Sequence, residues 1–118
     1  MNSISEYVAS IGQREFEFSE LMQLIDQQYV YQPVSFSNGI GVDQVSNHAG
    51  QNEGSCKLFA FAQLNDLSKE QTLLCFGKYY RDDVLKHPHG NDHANIRTFM
   101  KYGWEGITFE ADALTLKT

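Results

Sequence analysis

Basic residues are scarce in this chain. Lys and Arg number 9 against 15 Asp and Glu, giving a formal charge of −6 and a pI near 5.0. An acidic surface repels phosphates, and no run of Lys or Arg offers a local exception, which argues against general nucleic-acid binding. Binding to anionic membranes is disfavoured for the same reason. Long apolar runs are missing too: none approaches the ~20 residues that span a bilayer. The start, Met1 to Tyr7, lacks a basic region followed by an apolar stretch, so it does not read as a secretory signal peptide. Cysteine is limited to Cys56 and Cys75, both inside apolar helical patterns. They read as reduced, buried thiols in a cytosolic setting, although the sequence leaves a bond between them open. No Gly-rich loop has the P-loop or dinucleotide-binding pattern, and no local Ser-His-Asp arrangement is suggested.

What is present suffices for one core. The 118 residues are 42% hydrophobic, with 20% charged and mean hydropathy of −0.41. These values fit one globular domain over 1–118. Ile4, Tyr7, Val8 and Ile11 fall at helical spacing, with Ser3 or Ser5 as cap and Gly12 as stop. Ser19 is placed to cap a second helix carrying Leu21, Leu24 and Ile25, with Glu20 in its first turn. The pattern must end before Pro33. Val34 to Ser37 and Ile40 to Val42 flank Asn38-Gly39, a local signal for a tight type I′ hairpin. Val45 to Ser55 reads as a polar loop, and Cys56 to Leu64 as a buried helix. Ser68 to Gln71 has the capping-box pattern and opens a helix running through Phe76 toward Tyr80. His87 to Asn91 is a turn. Asn91 or Asp92 then caps a helix with Ile96, Phe99 and Met100, closing near Gly103. Gly106 to Phe109 reads as a last short strand. The expected fold is a compact, helix-dominated α+β single domain with a small β-hairpin.

Polar residues concentrate in three blocks: Asn47 to Ala62, Phe76 to Leu85 and His87 to Arg97. A fold of this size does not need amides, imidazoles, tyrosines and arginines gathered at loop-to-helix junctions. The candidate binding residues are Asn47, Gln51, Asn52, Tyr80, Arg81, His93, Arg97 and Trp104. Both junctions present helix N-termini, whose free N–H groups attract anions and acceptors. If the two ends pack on one side, Gln51, Asn52, His93 and Arg97 gather in one concave patch with Tyr80 or Arg81 at its edge. The competing reading is that these side chains only cap helices and satisfy buried backbone groups. Arg81 is equally an internal ion pair at a helix end, and Arg97 the same. Trp104, between Gly103 and Gly106, is a partner anchor or, more simply, a core residue.

Two chemical alternatives stand beside binding. His87, His89, Asp92 and His93 are all metal-ligand types, but on a turn and a helix start rather than on converging elements, so no metal or other cofactor is expected. Cys56 follows Gly54-Ser55 at a helix start, where a thiol becomes more nucleophilic and His93 or His48 is a candidate base. The plain reading there is that Ser55 caps the helix and Cys56 packs beneath it.

The chain resembles the HopJ family of type III effector proteins. The resemblance rests on Ala49-Gly50-Gln51-Asn52 with Gly54 to Ala62, Leu67-Ser68 with Thr72-Leu73, Phe76-Gly77 with Tyr79-Tyr80-Arg81, Val84-Leu85, His93 with Asn95-Ile96-Arg97, and Gly103-Trp104 with Gly106-Ile107. It spans nearly the whole chain. The resemblance implies a bacterial protein delivered into a host cell by a type III system, acting on a host or bacterial protein or a small polar ligand. Ile4 fits an export signal, and Ser3, Ser5, Ser10 and Gln13 fit loosely, whereas Glu6 departs from the pattern. A protein that stays in the bacterial cytoplasm in a housekeeping role is the alternative. The family carries no established catalytic residues.

Overall fold

The computed structural model describes residues 3–117. The first helix, α1 (Ser3–Ser10), buries Tyr7 and leads to the buried Ile11. Its cap position lies outside the described residues, and Ser5 stands inside the helix. The second, α2 (Phe18–Gln28), starts one residue before the expected cap, Ser19. Glu17, not Ser19, holds the cap position: its N–H donates to Glu20 Oε1 at 2.9 Å. Leu21, Leu24 and Ile25 are buried along one face, as their spacing requires.

Strand β1 (Tyr29–Tyr31) continues directly from α2 and pairs antiparallel with β5 (Leu114–Leu116) in register Tyr29↔Leu116. A second sheet has the order β3-β2-β4, all antiparallel, from β2 (Phe36–Asn38), β3 (Val45–Asn47) and β4 (Thr108–Phe109). The hairpin exists, but not with the expected tight turn. Phe36 pairs with Asn47 and Asn38 with Val45, so the chain loops out through a 3₁₀ turn at Gly41–Asp43. The reason is tertiary. Asn38 is fully buried and donates to the Asn95 carbonyl at 2.8 Å, so it belongs to the strand rather than the turn. Gly39 lies against the backbone of Gly106, whose carbonyl accepts its N–H at 3.0 Å. The Val45–Asn47 segment, expected to be loop, is thereby recruited as a strand.

Helix α3 (Glu53–Leu64) runs through the middle of the core. Leu58, Phe59 and Phe61 are fully buried, and burying each contributes roughly 1.5–3 kcal/mol. Phe59 touches Phe36, Phe76, Phe99 and Trp104, which joins β2, the end of α4, α5 and the turn after it at one ring. Helix α4 (Lys69–Leu74) opens on the expected capping box: Ser68 Oγ accepts from Gln71 N at 3.1 Å and Gln71 Oε1 from Ser68 N at 2.9 Å. It does not reach Tyr80. The chain turns at Gly77 (φ 63°) and resumes as a π-helical turn over Tyr79–Val84. Gly77 is required there, because a Cβ would stand 2.7 Å from the Phe16 carbonyl oxygen. Helix α5 (Ala94–Tyr102) packs on the sheet and on α4 and ends at Gly103 (φ 62°), as expected. A 3₁₀ turn, Gly103–Gly106, leads to β4.

Candidate functional site

The starts of α3 and α5 open into one cleft of about 380 Å³. Each start is unusual in the same way. Asn52 (φ 50°) and His93 (φ 53°) hold the cap positions in left-handed backbone conformation, and neither side chain caps its helix. A helix start leaves its first N–H groups without intrahelical acceptors. Gly54, Ser55, Ala94, Asn95 and Ile96 from those first turns all line the cleft. The expected caps do other work. Ser55 lies inside the first turn of α3, and Asp92 is drawn away by Arg97, whose Nη2 lies 2.6 Å from Asp92 Oδ1.

Behind the cleft sits a network of asparagine amides. Asn47 Oδ1 accepts from Asn52 Nδ2 at 2.7 Å and from Asn95 Nδ2 at 2.9 Å. Asn38 Nδ2 donates to Asn95 Oδ1 at 3.1 Å. Asn38, Asn47 and Asn95 are buried. The network ties the hairpin to both helix starts, so it fixes where their N–H groups point. Buried amides so connected favour one arrangement over others.

One side of the cleft is aromatic. Phe18 and Phe76 stack with centroids 6.0 Å apart, Tyr79 meets Phe18 edge-on at 5.5 Å, and the His93 ring lies 5.4 Å from Tyr79. Gly54 makes room for this wall, since a Cβ there would come within 2.7 Å of Phe18 Cζ. The π-helical turn places Tyr79 and Asp83 together on His93, whose Nε2 lies 3.0 Å from Asp83 Oδ2. Such turns recur at functional sites.

Of the expected binding residues, Asn52 and His93 line this cleft and Asn47 backs it. The others lie elsewhere. Gln51 closes its own turn, with Oε1 accepting from His48 N at 3.1 Å. Arg97 faces away and braces the preceding loop, donating to the carbonyls of Asp92 at 2.6 Å and His87 at 2.9 Å. Arg81 reaches the Phe16 carbonyl at 3.3 Å and Glu17 at 3.4 Å, holding the segment that supplies Phe18. Tyr80 lies beside Arg81 in a separate groove with Leu74 and Leu85. Trp104 packs edge-on against Phe59 and Phe99, and its Nε1 donates to the Leu67 carbonyl at 2.9 Å. The two arginines satisfy backbone because the loops they brace have no regular structure of their own. Sequence reasoning missed Tyr79, Phe18, Phe76 and Asp83. The adjacent tyrosines were visible, but which of them faces the cleft depends on the π-helical turn.

The two chemical alternatives meet the geometry badly. Cys56 is buried and its Sγ points at the Val34 carbonyl 3.9 Å away, so it does not face the cleft or His93. Burial pushes its thiol pKa up, opposite to nucleophile activation. Cys75 is pushed up to about 11 by burial, and both thiols are free. The histidine cluster does not converge: His93 turns to Asp83, and no group of three or more His, Cys, Asp or Glu side chains among the described residues is gathered as a metal would need. Among the described residues no helix is long and apolar enough to cross a membrane.

Fold and site together define a small α+β domain with a ligand-sized cleft between two helix starts. The chain belongs to the HopJ type III effector protein family, which residues 4–114 match. It is also similar to a solved structure, the crystal structure of the unknown function protein VPA0580, at 47% identity and a TM-score of 0.91, covering 99% of this chain and 95% of that one. No curated protein matches the chain.

Proposed function

We propose that this HopJ-family chain is an effector-like binding protein whose cleft between the starts of α3 and α5 takes a small polar ligand. One observation carries the reading. Two helix starts, both without side-chain caps, open into a single ligand-sized concavity held by a buried amide network. A cavity of this volume lies within the range of small-molecule sites. Asn52 and His93 are the residues of the expected set that stand at its rim, with Tyr79 and Ser55 beside them. A role in binding rather than catalysis is supported by the inward Cys56 and by the lack of any hydrogen bond between Ser55 and His93 among the described residues. Trp104 offers little to a protein partner, because its ring and its N–H are both taken internally. Membership of an effector family supports action inside a host cell after type III export.

The test is a panel of small polar and anionic fragments read by thermal shift, using the native chain and Ser55→Leu, which narrows the cleft. Fragments should raise the melting temperature of the native chain and lose their effect on Ser55→Leu. Equal shifts on both proteins would place binding elsewhere and remove the proposal.

A further inference from the structure

We infer that the ligand of this cleft is an uncharged aryl amide, a flat ring carrying one neutral carboxamide or lactam edge; the inference rests on the cleft being the binding site proposed above. Charge decides first. Among the described residues no Asp, Glu, Lys or Arg side chain lines the cleft. A charge taken out of water without a partner is costly. The surroundings favour neither sign. Asp83 Oδ2 and Asp92 Oδ2 lie 3.0 and 3.9 Å from His93 Nε2, and Glu53 stands between Asn52 and Gly54, so carboxylates beside both helix starts oppose an anion. The first turns of α3 and α5 carry the positive ends of their helix dipoles, which oppose a cation. A neutral ligand meets neither penalty.

The seat for the amide edge is a pair of side chains. Asn52 Nδ2 donates to Asn47 Oδ1 at 2.7 Å, which orients its carboxamide and leaves Oδ1 as an acceptor. Ser55 lines the same cleft, and among the described residues no hydrogen bond uses its Oγ or Asn52 Oδ1. A hydroxyl both donates and accepts, so the pair matches a group with an N–H and a C=O side by side. The seat for the ring adjoins it. A Cβ on Gly54, the residue before Ser55, would stand 2.7 Å from Phe18 Cζ, so the half-buried Phe18 ring lies next to the polar pair. Tyr79 meets that ring edge-on at 5.5 Å and is 36% exposed, while the buried Phe76 only backs Phe18. Rings left open on a cleft pack against another flat apolar group. Two polar groups beside the rings serve one amide and leave most hydroxyls of a sugar unmatched.

Isothermal titration of the full chain at neutral pH tests this with one ring and three heads: benzamide (neutral), benzoate (anionic) and benzamidine (cationic). Acetamide and methyl glucoside supply a neutral amide without a ring and a neutral sugar. Benzamide should bind at least about tenfold tighter than each of the others, a difference of about 1.4 kcal/mol. Ser55→Ala should weaken benzamide by about threefold or more while the fold survives, because a methyl replaces only the free hydroxyl. Asn52→Gly should do the same, since glycine keeps the positive φ of 50°. Benzoate or benzamidine binding as tightly as benzamide overturns the neutral head. Acetamide or methyl glucoside binding as tightly overturns the ring. Benzamide affinity unchanged in both variants overturns the side-chain seat. Benzamide that stays silent while other polar fragments enter the cleft overturns this inference and leaves the proposed function standing. No fragment of any class entering the cleft overturns both.

Discussion

At the scale of single residues, the polar side chains of the three blocks divide by what their neighbours demand. Asn47 and Asn95 complete one another inside the protein, with Asn95 Nδ2 donating to Asn47 Oδ1 at 2.9 Å and Asn47 Nδ2 to Asn95 Oδ1 at 3.3 Å. Removing one amide strands its partner away from water, which costs about 1–3 kcal/mol. Asn95→Ala should therefore lower stability by that amount in urea denaturation, and a change below about 0.5 kcal/mol would show the network to be incidental. Cysteine reactivity is a second expectation at this scale. Cys56 and Cys75 are buried with raised pKa values, so alkylation of the native protein at neutral pH should be much slower than that of an unfolded chain. Rapid labelling of Cys56 would revive it as a nucleophile.

At the scale of elements, much of the secondary structure was legible in the sequence, and the departures share one cause. The Ser68 capping box, the apolar run of α3 and the Gly103 stop are local signals, decided within a turn or two, and each is met, although α3 starts at Glu53, three residues ahead of the expected Cys56. The tight hairpin turn failed because Asn38 answers to Asn95, 57 residues away, and Gly39 to Gly106. The cap of α5 shifted from Asp92 to His93 because Arg97 claims Asp92. The site followed the same rule. The concentration of polar residues at two helix starts was readable, and so was the possibility that those starts meet. Which side chains face the cleft was not, since Arg81 and Arg97 turn away to satisfy loop carbonyls.

Those long-range contacts make their own predictions. A Cβ on Gly106 would lie 2.6 Å from Gly39 N, backbone against backbone, with no flexible group to yield. Gly106→Ala should destabilise by at least about 2 kcal/mol, measured by chemical denaturation, whereas Gly50→Ala meets no neighbouring atom and pays only for its positive φ. The Asp92–Arg97 contact also sets a pH dependence. Its hydrogen bond to Arg97 holds the Asp92 carboxyl below its usual range, and Lys101 followed by Tyr102 does the same for Asp43. A depressed folded pKa means stability that is fully present above the unfolded carboxylate range and lost as pH falls through the folded value. The melting temperature should fall on acidification, and Arg97→Ala should shrink that fall while lowering the value at pH 7. An acid limb of unchanged size in Arg97→Ala would contradict the assignment.

At the scale of the whole molecule, the scaffold is organised so that two helix starts from distant parts of the chain meet at one place. Phe59 binds the layers together, the asparagines tie the hairpin to both starts, and the two arginines brace the loops that deliver Phe18 and His93. Truncating such a central ring as Phe59 to Ala typically costs about 3–5 kcal/mol, enough to unfold a domain of marginal stability. We place the ligand of this HopJ-family protein in the cleft between α3 and α5. Amide chemical-shift mapping of the isotopically labelled chain, titrated with the fragments that stabilise it, tests that placement. The largest shifts should cluster on residues 53–55 and 94–96 together, with Tyr79 among the side chains that respond. Shifts confined to the groove of Leu74, Tyr80 and Leu85, or scattered over the surface, would contradict it.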